Sequence, residues 1–304
     1  MIVSLQVIHF SDPGCPWAWS ASPAIAALKW RYGDQLDWRD VMIGLTEAGH
    51  VYEARGYTPA RQAAGYRTFR DRGMPFATDL RERVHGTWPM CRVVVATRRL
   101  APEREYAVFR ALQFAQFTGT GFLEDLDELK QAIAWVPGID ADAIIKASTD
   151  PETERVFEQD RDEARTAEGG ATEFQGKSAN TDGRVRYTAP SLKFSNGTTT
   201  LEAGGFQSFE AYDVLIANLD RSLTRRAPAT AEEIDAVLSA FPDGLTTAEV
   251  AQIMAQDKYA PDFGQAEDAL IAALGNGDAK RLAFGHDALW VPAEAAAAPL
   301  AAAA

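Results

Sequence analysis

Cysteine is nearly missing from this chain: Cys15 and Cys91 are the two in 304 residues. No disulfide framework is therefore expected to hold the fold. Positive charge is scarce as well, with 30 Lys and Arg against 43 Asp and Glu and a net charge of −13. Nucleic acid and anionic membrane surfaces are not expected as partners, because both require clustered Lys and Arg. No apolar run approaches the length of a membrane span. The opening Met1-Ile2-Val3-Ser4-Leu5 lacks the basic region and apolar stretch of a signal peptide, and it reads as the start of a strand. None of the His/Cys spacings suits a metal site. These absences together predict a cytoplasmic protein. What is present is ordinary core material: 46% of residues are hydrophobic, over a length that suits one large domain or two.

An apolar strand pattern, Ile2 to Phe10, runs into Ser11-Asp12-Pro13-Gly14-Cys15-Pro16-Trp17-Ala18-Trp19, and a helical pattern, Pro16 to Trp30, runs out of it. Cys15 thus falls at a helix N-terminus, where free backbone N–H groups and the dipole favour a thiolate, the reactive form of cysteine. A depressed Cys15 pKa is the expectation. The spacing is that of Cys-x-x-Cys, with Ala18 where the second sulfur would stand.

Leu36 to Gly44 reads as a second strand, giving a βαβ unit with a parallel pair. Helical spacing dominates from Thr58 to about Gly170, with Asp150 placed to cap one helix. Strands return at Arg184–Ser195 and Thr198–Ala203. They are joined by Asn196-Gly197, a hairpin signal that also matches a glycosylation sequon, and a helix follows over Ser208–Leu223. The fold class is α/β: a sheet with a large helical insertion, about 58–170, inside a domain spanning 1–226. Beyond the linker Arg225–Ala229, residues 230–293 predict three helices and a hairpin around Gly285-His286-Asp287, a winged-helix-like accessory module. Thr246 and Glu249 form a capping box there. From Pro228 onward, twelve acidic residues stand against Lys258, Lys280 and Arg281, which makes this module a poor DNA reader. The alanine-rich 294–304 is expected to be a disordered tail.

The Ser11–Trp19 turn resembles the active-site turn of the DsbA-like branch of the thioredoxin superfamily, in particular proteins of the FrnE type. The group also includes 2-hydroxychromene-2-carboxylate isomerases and kappa-class glutathione transferases. The resemblance covers about Val3 to Leu223. It implies a thioredoxin fold interrupted by a helical insertion, with Cys15 as the catalytic residue and Pro16, Trp17 and Ala18 shaping the site. It also implies a cis-proline loop at Thr188-Ala189-Pro190-Ser191-Leu192, with the Ala189 backbone beside the sulfur and open to an extended ligand. Cys91, at the start of an insertion helix, is read first as a buried thiol. The resemblance turns that helix start toward the cleft, which makes Cys91 a candidate second thiol, with His85, Trp88 and Met90 as candidate pocket residues and Arg92 nearby.

The expected activity is thiol-disulfide exchange through a single cysteine, on a small-molecule or peptide thiol or disulfide. No tightly bound cofactor is expected; a low-molecular-weight thiol such as glutathione would serve as co-substrate. A homodimer is left open. One alternative is isomerase or transferase chemistry with a bound thiol cofactor, which needs an apolar pocket lined by Met74, Phe76, Trp88 and Met90. The other is a non-catalytic protein that binds peptides or small ligands. Asp12 is read as a structural loop cap, and of Trp17 and Trp19 one is expected to shape the site while the other packs.

Overall fold

The computed structural model describes residues 4–256, 260–284 and 287–295. The chain opens with β1 (Leu5–Ser11), and the helix expected after the Cys15 turn forms as two pieces, α1 (Pro16–Ser20) and α2 (Ser22–Tyr32). The break at Ala21 has a local cause. Pro23 has no N–H, so the helical ladder loses a rung where the two pieces meet. β2 (Leu36–Met42) then pairs parallel with β1, with Ser11 opposite Met42. Six of the seven β1 residues are buried, because β1 has a strand on each side and helices over its faces.

The insertion begins earlier than the sequence pattern suggests. α3 (Gly49–Ala54) and α4 (Pro59–Phe69) precede α5 (Trp88–Leu100), α6 (Glu105–Thr118), α7 (Leu126–Ile133), α8 (Ala141–Ser148), α9 (Pro151–Ala164) and α10 (Ala171–Phe174). α5 is its axis: Met90, Cys91 and Val93 to Ala96 are all buried, as befits a helix apolar on most sides. Asp150 sits at the N-cap of α9 but makes no capping bond with its side chain. α9 covers the outer edge of β2, where Asp160 accepts the Met42 N–H at 2.9 Å and a guanidinium fork from Arg98.

The segment read as one strand from Arg184 splits in two. Among the described residues, β4 (Arg186–Tyr187) pairs only with β3 (Ser178–Ala179), whereas β5 (Ser191–Ser195) joins the main sheet antiparallel to β1. β6 (Thr200–Ala203) completes the sheet in the order β2-β1-β5-β6. The β5–β6 turn uses Gly197 at φ +84°, and Asn196 Oδ1 accepts the Thr198 and Thr199 N–H groups. α11 (Phe209–Leu219) closes this part.

The linker is held in place. Arg226 N–H donates to Arg31 O, and Trp30 Nε1–H to Ala227 O. After it come α12 (Ile234–Ala240), β7 (Leu245–Thr246), α13 (Thr247–Met254), α14 (Phe263–Asn276), β8 (Ala279–Phe284) and β9 (Asp287–Pro292), with strand order β7-β9-β8. Both halves of the Thr246–Glu249 capping box form. α13 lies on α2, and Leu28, Val250, Ile253 and Trp290 belong to one apolar cluster shared with β1 and β5. Met1 to Val3, residues 257–259 with Lys258, Gly285, His286 and the expected tail from 296 onward lie outside the described residues. Among the described residues, no helix is long and apolar enough to cross a membrane.

Candidate active site

Cys15 is the N-cap of α1, with Pro16 in the first helical position. The turn that presents it is built on Asp12. Its buried carboxylate accepts from Gly14 N–H, Leu45 N–H and Thr87 Oγ1, each at 2.8 Å, and from Cys91 Sγ at 3.5 Å. Burial raises the Asp12 pKa, and these bonds pull it back. Gly14 has no room for a side chain: a Cβ there would stand 2.4 Å from Thr87 Cγ2.

Across from the turn, the Ala189–Pro190 peptide is cis, and Cys15 Sγ donates to Ala189 O at 3.1 Å. The thiol and the proline loop, 174 residues apart in sequence, are thus in direct contact. Phe10 stacks on Tyr187 beneath them, with ring centres 4.2 Å apart.

The acidity expected of Cys15 is not found. The residue is only 5% exposed, and burial pushes its pKa up to about 12. The Ala18 and Trp17 N–H groups and the positive charge of Arg186 pull the other way, while the charge of Asp12 adds to the rise. The helix terminus is therefore present, and desolvation outweighs it.

Trp17 and Trp19 have opposite settings. Trp19 is fully buried, with its Nε1–H on Pro75 O. Trp17 is 41% exposed beside the turn, edge-on to Phe69 at 5.0 Å and 5.7 Å from Phe206, with the Arg72 guanidinium 4.4 Å above it. Ala18 is buried against the turn.

Around the second thiol the picture is one of packing. Cys91 has no exposure, and burial, then the charge of Asp12, raises its pKa well above that of a free thiol. Both cysteines are free. His85 is buried with Nε2 2.6 Å from Gln116 Oε1, and burial followed by the Arg81 charge pushes its pKa down to about 3. It is neutral and gives no support to an anion. Arg92 is engaged by Glu154. Met74, Phe76 and Met90 are core residues, and Trp88 donates its indole N–H to Gly44 O. A cavity of about 760 Å³ exists in the molecule, but none of these four lines it.

Sequence reasoning misses Arg186 and Thr87. Arg186 acts on the sulfur from a strand far along the chain, and Thr87 reaches Asp12 across 75 residues. Neither lies in a local pattern. Asp12 itself, one residue before Pro13 in the turn, is the nearest signal the sequence offers.

No protein-family model and no curated protein matches the chain. Solved structures do. A Nitrosomonas europaea protein described as a protein disulfide isomerase aligns with a TM-score of 0.54 at 20% identity, over 71% of this chain and 97% of its own. A Streptomyces coelicolor protein described as a DsbA oxidoreductase aligns with a TM-score of 0.53 at 17% identity, over 74% of this chain and 93% of its own. With a β2-β1-β5-β6 sheet, a cis-proline loop against a cysteine turn and helices inserted between β2 and β5, the chain has the thioredoxin fold of DsbA-like proteins.

Proposed function

We propose that the protein is a thiol-disulfide oxidoreductase that works through Cys15 alone and resolves its mixed disulfide with a small thiol. The observation that carries this is the 3.1 Å contact between Cys15 Sγ and Ala189 O beside Pro190. An extended disulfide-bearing chain laid along the proline loop would present its own sulfur at this point. The aromatic rim of Trp17, Phe69 and Phe206 with Arg72 supports a peptide or small organic disulfide as substrate. The two structural neighbours are described as a disulfide isomerase and a DsbA oxidoreductase, which supports the same chemistry.

In the proposed cycle, Cys15 gives up its proton to water and the thiolate attacks one sulfur of a disulfide R–S–S–R′. The S–S bond breaks, R′S⁻ leaves and takes up a proton, and Cys15–S–S–R remains. The thiolate of glutathione, or of an equivalent thiol, attacks the R sulfur and releases Cys15 as thiolate, which takes up a proton and donates again to Ala189 O. The net reaction exchanges R′SH for the entering thiol, with no change in total oxidation state. Cys91 takes no part in this reading: it is enclosed in the α5 core and bonded to Asp12. Exchange is favoured over isomerase or transferase chemistry because Met74, Phe76 and Met90 are used in packing. A cytoplasmic setting, where small thiols are abundant, suits the cycle.

The test is intact-mass analysis after incubation with oxidised glutathione and with hydroxyethyl disulfide, followed by peptide mapping. One adduct per chain is expected, on Cys15, removed by added thiol and missing from Cys15→Ser. An unmodified protein, or an adduct that survives Cys15→Ser, overturns the proposal.

A further inference from the structure

The 760 Å³ cavity lies away from the thiol. Cys15 follows the C-terminal end of β1, whereas the cavity is bordered by Leu36 and Trp38 at the N-terminal end of the parallel β2. Its walls come from four parts of the chain: the last turns of α2 with the start of β2, the α6 residues Tyr106 and Arg110, the linker residues Thr224 and Arg226, and the segment from Ala240 to Glu249. Such a volume falls in the range of small-molecule sites.

Several charges on the wall are already matched. Arg110 is forked onto Glu249 at 2.5 and 2.9 Å, and Asp243 accepts from Arg104 at 2.5 Å. Lys29 is different. Among the described residues no carboxylate lies within ion-pair reach of it, and its ammonium stands 3.0 Å from the centre of the Tyr106 ring and 5.3 Å from that of Trp38. Trp38 Nε1–H is buried without an acceptor. Among the described residues, an ammonium and an indole N–H thus stand among aromatic rings with no acceptor in place. A buried donor without a partner is destabilising, so a ligand acceptor there gains more than on an open surface.

We propose that this cavity binds a small aromatic carboxylate, with the carboxylate on Lys29 and Trp38 Nε1 and the ring among Trp30, Trp38 and Tyr106. A monoanion fits better than a phosphate dianion, because Asp40, Asp243 and Glu249 place negative charge around Lys29 from the surrounding elements. Burial, opposed by those three carboxylates and aided by Arg110, already lowers the Lys29 pKa to about 7, so an incoming anion would also restore its charge.

The experiment is calorimetric titration of the full chain with 2-naphthoate and with the uncharged 2-naphthamide at pH about 6.5, below the Lys29 value. The carboxylate is expected to bind roughly tenfold tighter than the amide. That preference should vanish in Lys29→Met, survive in Lys29→Arg and be unchanged in Cys15→Ser, which also separates this site from the thiol site. Ala240→Trp, an exposed position on the cavity wall, should weaken both ligands and covers the case in which Lys29→Met fails to fold. Equal affinities for the two ligands, no binding to the wild-type protein, or a Lys29→Met or Ala240→Trp variant that binds like wild type would overturn the proposal.

Discussion

Cys15 Sγ donates its proton to Ala189 O, so the resting thiol is held as a thiol by the loop it faces. Deprotonation means giving up that bond inside a buried site. The iodoacetamide rate at Cys15 is therefore expected to keep climbing with pH and to show no inflection below the ordinary thiol value of 9.0. A pKa raised on folding gives stabilisation that is complete below the unfolded value and is lost as pH rises toward about 12. Urea unfolding on either side of the ordinary thiol value, at pH about 8 and about 10, should show the loss, and Cys15→Ala should reduce it.

Asp12 raises the Cys15 pKa through its charge. Asp12→Asn should speed alkylation of Cys15 at fixed pH while lowering stability, because an amide nitrogen would face groups that need an acceptor. Asp12→Ala leaves the Gly14 and Leu45 N–H groups unmet and should cost about 2–4 kcal/mol, read from the urea midpoint. A stability loss with no change in alkylation rate would confine Asp12 to loop capping.

Gly14→Ala is expected to destabilise by about 1–3 kcal/mol through overpacking. Thr87 cannot swing away from a new Cβ without loosening its own bond to Asp12. Gly14→Ala combined with Thr87→Ser, which removes the colliding methyl and keeps the hydroxyl, should recover most of the loss in thermal melts.

His85 should not titrate in NMR spectra over the range from about pH 5 to 8 where histidine ordinarily does, since burial and Arg81 hold its pKa down to about 3. A base whose pKa falls on folding destabilises the native state as pH drops below its ordinary value of 6.5 and on toward about 3. His85→Gln should flatten the acid side of the stability profile.

Much of this architecture is readable because its determinants are short-range. The Asn196-Gly197 turn, the Thr246–Glu249 capping box and the placement of Cys15 at a helix start each depend on a few neighbouring residues. What escapes a local reading is set by partners far along the chain. The burial that reverses the acidity of Cys15 comes from tertiary enclosure, and the Asp12–Cys91 bond joins residues 79 apart. The charge of Arg186 reaches the sulfur from a two-residue strand that periodicity assigns to a longer one. The cover that α13 lays over α2 is likewise invisible to local patterning.

Glu249→Gln is expected to cost about 3–5 kcal/mol, because it leaves Arg110 charged and buried with a weakened partner. Chemical denaturation followed by Trp fluorescence would read this, and it should show one transition for both parts of the chain.

That pair has a consequence for how the protein can be divided. Arg110 belongs to the insertion in the thioredoxin-fold part and Glu249 to the part after the linker, and the apolar cover of α2 is supplied by α13. The seam that topology draws near Pro228 is therefore expected not to be a seam in cooperativity. A fragment cut there would carry an orphaned guanidinium and a stripped helix, and it is expected to be less stable than the whole chain. Any evolutionary exchange of the C-terminal part for another would have to bring its own carboxylate for Arg110.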